Sequence, residues 1–152
     1  MKAIILLFIS SFLLFTSCNK VKRASKLLMK GETWNVKSVT IDGTEMITKG
    51  SWTISQGVDI YAGVPEAIWK TDDTNSAVFE WQFHEKANKF QLNYKQICEE
   101  CDGEMMDELD YLTSDLTGSY SVEKHRRKEM IFKCSSTIGY SNQEVVISIV
   151  KK

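Results

Sequence analysis

The sequence lacks the features of a helical, disordered or nucleic-acid-binding protein. It contains one proline, Pro65, and no long runs of Ala, Leu, Glu and Lys at helical spacing. Its 43% hydrophobic and 26% charged residues are globular values, so disorder along the whole chain is not expected. The net charge of -1 gives no electrostatic basis for a nucleic-acid partner.

Recognisable catalytic and cofactor-binding motifs are also missing. The chain has no glycine-rich phosphate loop, no HExxH and no GxSxG. Neither His84 nor His125 has a nucleophile beside it in the sequence. We therefore predict no catalytic residues, no cofactor and no enzymatic activity. A hydrolase whose residues meet only in the folded chain is the lowest-ranked alternative.

The N-terminal segment has one apolar run, and it is too short to span a membrane. Lys2 precedes apolar residues 3–15, whereas a spanning helix needs about 20. A positive residue, a short apolar run and small residues indicate a secretory signal peptide at residues 1–17. Phe15-Thr16-Ser17-Cys18 resembles a bacterial lipobox, in which the cysteine begins the mature chain and carries acyl groups such as palmitate. The alternatives are a secreted protein with Cys18 as a spare thiol, and an anchor that is never cleaved.

Two segments follow the predicted cleavage site. Residues 18–25 are polar, basic and without periodicity, which predicts a lipidated tether. Residues 26–152 form the predicted domain, with a short helical turn over residues 26–30 that Gly31 stops. In the lipoproteins that this N-terminus resembles, display on the cell surface is signalled by a short acidic run after the cysteine. No such run follows Cys18, so the resemblance implies an outer-membrane anchor with the domain facing the periplasm.

The rest of the chain carries the residues typical of strands. Apolar and polar positions alternate in short segments, and Asp42-Gly43 is a hairpin signal. A change of phase predicts a β-bulge near Lys37-Ser38. The pattern predicts an all-β fold, an antiparallel up-and-down barrel of about eight strands with a short N-terminal helical turn. Strands are expected at residues 32–41, 44–48, 51–55, 77–83, 90–94, 118–123, 130–134 and 145–149.

The cysteines allow several interpretations in an oxidising compartment. The preferred one is a loop disulfide between Cys98 and Cys101, with Cys134 as a buried thiol. A disulfide of Cys134 and a metal site are the alternatives, and no metal site is predicted because a second short-spaced ligand pair is missing. A redox pair is disfavoured, because Glu99 and Glu100 would oppose a thiolate.

Two charged stretches have simple explanations. The acidic stretch at residues 99–115 is interpreted as a solvated loop, with calcium binding as the alternative. The basic stretch at residues 124–128 is interpreted as a charged hairpin turn, with contact to anionic head groups or a partner as the alternative.

Three short motifs resemble the lipocalin-like lipoproteins of Bacteroidota. They are the stretch at residues 27–36, with Gly31 and Trp34, the aromatic strand at residues 79–83, and Gly118-Ser119-Tyr120-Ser121-Val122. The resemblance implies a lipocalin-like barrel in which Trp34 packs across the closed end, often under a basic side chain. Trp34 and Gly31 are accordingly the expected structural residues. Arg126 and Arg127 are basic residues of the right type, without an assigned role.

The predicted barrel supports two functions. The first is binding of a small apolar or amphipathic ligand in the barrel mouth, for which no residues can be named. The alternative is a barrel filled by its own aromatic residues, whose loops at residues 56–75 and 98–115 dock an envelope protein partner. In both, the lipid on Cys18 makes the membrane a partner. A cavity above about 300 Å³ lined by aromatic side chains would favour the ligand.

Overall fold

Nine antiparallel strands form the body of the described part of the chain, against about eight that the alternating sequence pattern predicts. The computed structural model describes residues 20–46, 50–55, 63–71, 75–96 and 106–152. The strands are β1 (Thr33–Ile41), β2 (Thr44–Met46), β3 (Gly50–Ile54), β4 (Glu66–Lys70), β5 (Ser76–His84), β6 (Lys89–Lys95), β7 (Gly118–Arg126), β8 (Glu129–Cys134) and β9 (Val145–Lys151).

The sheet closes on itself through β1. From β3 to β9 each strand pairs with the next in sequence, and β9 pairs with β1. On its other side β1 pairs with β3 along its first half and with β2 along its second half. The result is an eight-stranded closed barrel with one extra strand, which confirms the predicted fold class. Closure leaves the barrel strands without the open edges that promote aggregation.

Two local predictions are confirmed in β1. The register between β1 and β9 shifts between Val36 and Ser38, which is the predicted bulge. Asp42 and Gly43 form the predicted hairpin turn with φ angles of 48° and 79°. Positive φ at both central residues gives a turn whose twist matches the flanking strands.

Within the described residues, two short α-helices and one 3-10 helix (Glu85–Ala87) accompany the barrel. The first, α1, covers residues 20–29, and the second, α2, is Glu108–Asp115. Within the described ranges, no helix has both the length and the apolar character needed to cross a membrane.

The prediction that residues 20–25 belong to an unstructured tether is wrong. These residues are helical, and Ala24 is completely buried. Val21, Ala24 and Leu28 recur at helical spacing and turn one face of α1 toward the barrel. The numerous basic residues of this segment hide that pattern in the sequence, and the packed domain begins before residue 26.

The expected loops also contain regular structure. The stretch at residues 56–75 contains β4, and the stretch at residues 98–115 contains α2. Strand β7 continues to Arg126, so the turn before β8 is confined to residues 127–128 rather than spanning 124–128.

Candidate functional site

The α1 end of the barrel is closed by Trp34, which is completely buried. Its indole Nε1 donates a hydrogen bond to the carbonyl of Leu28, at 2.9 Å. A Cβ atom added at Gly31 would lie 2.1 Å from the same Nε1, so a side chain there requires the indole to move. The chain therefore needs glycine at residue 31 for Trp34 to lie under α1.

His125 also lies at the α1 end, where the sequence suggested only a charged turn. Its ring centroid is 5.8 Å from that of Phe83, and its Nε2 is buried without a hydrogen-bond partner. Burial lowers the pKa of His125, and a hydrogen bond with the Ala24 backbone opposes that shift. A bulge between Val122 and Lys124 shifts the register of β7, so that His125 lies opposite the buried Met130. The residues around this bulge are charged, so the sequence shows no change of apolar phase here, and the burial of His125 was missed.

The barrel interior is filled by aromatic side chains. Trp52 packs edge-on against Phe79 and Trp69, with ring centroids 4.9 and 5.9 Å apart. Phe90 and Phe132 stack at 4.2 Å. These five side chains have no exposed surface. Ring pairs at such distances stabilise the fold by more than their buried area alone would give. They also occupy the volume that a ligand would use.

Two donors in this interior have no partner. The Nε1 atoms of Trp52 and Trp69 are buried and make no hydrogen bond, whereas Nε1 of Trp81 donates to the Glu66 carbonyl at 3.3 Å. Trp52 and Trp69 are directly opposite each other on β3 and β4. A buried unsatisfied donor costs about 1–3 kcal/mol, so this pair is the interior position where an acceptor would bind most favourably.

Cys134, in the described part of the barrel, has the features of an unreactive thiol. Cys134 is a free and buried thiol, as the sequence suggested. Burial raises the pKa of the Cys134 thiol, which keeps it protonated. Nearby Tyr120 donates to the Leu116 carbonyl at 2.5 Å, and burial raises the pKa of this phenol too. Protonated thiols are weak nucleophiles, so this pair does not form a reactive centre.

The opposite end of the barrel carries α2 and a network of carboxylates. The Asp107 carboxylate accepts from the backbone N–H groups of Leu109 and Asp110, at 2.8 and 2.9 Å, and caps the helix. Asp110 in turn accepts from the Tyr94 hydroxyl at 3.1 Å. Burial, the hydrogen bond to Asp110 and the charges of Asp110 and Asp107 raise the pKa of Tyr94 to about 12. This end therefore presents negative charge on a helix that its own residues hold in place.

The predicted lipid-attachment residue Cys18 and the predicted disulfide pair Cys98 and Cys101 lie outside the described residues. Residues 99–105 of the acidic stretch do so as well. In the described part of the chain, no three His, Cys, Asp or Glu side chains come together in a way that could hold a metal ion.

A concavity of about 540 Å³ opens on the outer surface of α1. Among the described residues its lining consists of the cations Lys20, Lys22, Arg23 and Lys26, and these are not the aromatic side chains expected around an apolar ligand.

Comparison with known proteins adds no relative. No protein-family model matches the chain, and a search of the curated proteins finds no match either.

Proposed function

We propose that this protein is an exported envelope lipoprotein whose filled barrel serves as a structural and protein-interaction module. It belongs, in this proposal, with the lipocalin-like lipoproteins that its short motifs resemble. Acyl chains on Cys18 hold it at the outer membrane, facing the periplasm. A disulfide between Cys98 and Cys101 then cross-links the segment before α2.

The packed interior is the observation that carries this proposal. Trp52, Phe79, Phe90 and Phe132 are wholly buried against one another, and the two helices lie over opposite ends of the barrel. An eight-stranded barrel is just wide enough for side chains to fill it or for one small ligand to enter. Here the side chains take that space, which favours a docking role over carriage.

The α2 end is the better candidate for a protein partner. Tyr111 on α2 is 60% exposed, and Ile138 is 72% exposed. The backbone N–H of Gly139 donates to the Asp115 carbonyl at 2.9 Å, which holds this loop against the end of α2. Large exposed apolar side chains beside a polar rim are typical of an interaction surface.

The docking proposal is tested with a photo-crosslinking amino acid placed at residue 138 in cells. We expect a discrete crosslinked product there. The same probe at exposed Thr53, on the barrel wall, is the matched control and should give none. Equal products at both positions, or none at either, would count against docking at the α2 end.

Ligand binding is the second candidate function, and one observation favours it. The buried Nε1 donors of Trp52 and Trp69 lack partners, and a small amphipathic molecule with an acceptor group would satisfy them. An apolar fluorescent probe separates the two candidates. A filled barrel excludes the probe until Phe132→Ala opens a cavity, because apolar cavities accept apolar guests. Saturable binding to the unmodified protein would favour carriage instead.

The anchor is tested by fractionating cells that express the Cys18→Ser variant. Several acyl chains on one cysteine hold a protein at the bilayer almost permanently, at about 0.8 kcal/mol per buried CH₂ group. We expect the unmodified protein in the membrane fraction and the variant in the soluble fraction. A variant that stays with the membrane would argue against lipidation.

A further inference from the structure

The outer face of α1 is a row of exposed cations. Ala24 and Leu28 point one face of the helix into the barrel and are 0% and 1% exposed. Val21, Leu27 and Met29 are half-buried against the same core, and the polar side of the helix is turned away from the barrel. The exposed cations on that side are Lys20, Lys22, Arg23 and Lys26, which also line the concavity on this helix.

Hydrogen bonds bring further cations to the same end. Lys151 at the end of β9 donates from Nζ to the Lys30 carbonyl at 3.5 Å, and from its backbone N–H to the Lys128 carbonyl at 3.0 Å. Arg126 and Arg127 precede Lys128 in the β7–β8 turn, and all five side chains are exposed. The α1 end thus combines cations from α1, the β7–β8 turn and the last residues of the chain. We call this surface the basic end.

Little negative charge offsets the basic end. Among the described residues, its exposed carboxylates are Glu32 and Glu85. Glu129 is half-buried and already paired, with Lys124 and with Lys37, whose Nζ is 3.9 Å away. Most of the positive charge at this end therefore faces solvent.

Among the described residues, the opposite end has more carboxylates than cations, and its cations are Lys70, Lys95 and Lys133. Its exposed carboxylates include Asp42, Glu45 and Glu108, and Glu144 pairs with Lys133 at 2.7 Å. The barrel is therefore polarised along its axis, although the whole chain carries a net charge of only -1. A charged planar surface would orient such a molecule rather than merely attract it.

We propose that the basic end docks on the anionic phospholipid head groups of the membrane that anchors the protein, so that the α2 end points away from the bilayer. This inference deepens the proposed lipoprotein function and rests on the lipid at Cys18. Lys20 is the second residue after Cys18, so their Cα atoms lie within about 7 Å of each other. That distance is shorter than the Debye length of about 8 Å at physiological salt. Salt therefore screens the attraction between the first cations of α1 and the membrane surface only in part.

Vesicle binding by the full chain carrying Cys18→Ser tests this proposal without acyl chains. Equal parts of phosphatidylglycerol and phosphatidylcholine provide the anionic surface, and pure phosphatidylcholine provides the neutral one. We expect co-sedimentation with the anionic vesicles at about 50 mM salt and its loss at about 500 mM. Adding Lys22→Gln, Arg23→Gln and Lys26→Gln should weaken binding about 100-fold, since each cation near such a surface contributes about fivefold.

The matched control removes three cations from the other ends of their strands. Lys70→Gln, Lys95→Gln and Lys133→Gln change the net charge equally and should weaken binding less than about threefold. Circular dichroism melting verifies that both triple variants fold. Equal weakening by both would overturn the proposal. So would the absence of binding to anionic vesicles, and the basic end would then be assigned to an acidic protein partner.

The two proposals fail separately in this design. If the Cys18→Ser protein binds anionic vesicles but the natural chain is not acylated, the proposal for the basic end is supported and the lipid anchor is contradicted. If the natural chain is acylated but its Cys18→Ser form does not bind anionic vesicles, the lipid anchor is supported and the proposal for the basic end is contradicted.

Discussion

The two ends of the barrel are built from different interactions. At the α1 end, buried groups interlock: Trp34 lies on Gly31 and donates to Leu28, and His125 packs on Phe83. The α2 end also packs on buried leucines, Leu109, Leu112 and Leu116, but its polar contacts are half-exposed. These contacts are the Asp107 cap and the Tyr94–Asp110 hydrogen bond.

This difference suggests that the α1 end contributes mainly to the stability of the fold, whereas the surface of the α2 end is available for a partner. Removal of a buried, interlocked side chain costs several kcal/mol, whereas a half-exposed cap or hydrogen bond contributes about 1 kcal/mol. The α1 end should therefore tolerate changes only among its outward cations. The α2 end should accept substitutions more freely, as expected of a surface that meets a partner.

The largest effect is expected from Trp34→Ala. It empties the closed end and leaves the Leu28 carbonyl unpaired, so the free energy of unfolding should fall by about 4 kcal/mol. Urea denaturation measures this loss. Trp34→Phe keeps most of the packing and should lose clearly less. Similar small losses in both variants would mean that Trp34 does not hold the α1 end.

A smaller loss is expected from Gly31→Ala. The added methyl group meets the Trp34 indole and must displace it, which costs about 2 kcal/mol by overpacking. The same denaturation assay applies, with near-ultraviolet circular dichroism to report the indole environment. Combining Gly31→Ala with Trp34→Ala should recover part of this loss, because the colliding ring is gone. Strict additivity of the two losses would contradict the contact.

At the α2 end, Asp107→Ala should cost about 1 kcal/mol. It removes the carboxylate that caps α2, and thermal melting of the purified protein gives the size of the effect. Asp107→Asn retains an acceptor oxygen and should lose only part of it. A loss as large as that of Trp34→Ala would erase the distinction between the two ends.

The smallest effect is a pH dependence at the α1 end. The pKa of His125 is lowered in the fold, so below about pH 6.5 the unfolded chain binds a proton that the folded chain resists. The contribution of His125 is thus fully present above that pH and declines on acidification. His125→Phe should flatten the fall in unfolding free energy between about pH 7.5 and about pH 5.5. An unchanged pH dependence in His125→Phe would contradict this assignment.

Local alternation was enough to predict most of the barrel. Phe79, Trp81 and Phe83 share one face of β5, and Asp42-Gly43 marks the first hairpin. These signals come from neighbouring residues, so they can be recognised in the sequence without knowledge of the fold. The predicted bulge in β1 belongs to the same class, because a change of phase occurs within a single strand.

Features that depend on contacts between distant parts of the chain could not be predicted from the sequence. Trp69 lies on a strand of only five residues, and its place in the core follows only from the pairing of that strand with the one that carries Trp52. Ala24 is a single small residue among cations, and its burial depends on the barrel end that receives it. The opposite charges of the two ends likewise emerge only when turns from four parts of the chain come together.

Native mass spectrometry of the protein extracted from its membrane tests the central claim most directly. The account predicts the mass of residues 18–152 plus covalent acyl groups, with no noncovalent small molecule retained. A stoichiometric bound molecule, released when the protein unfolds, would contradict the filled barrel and establish a carrier.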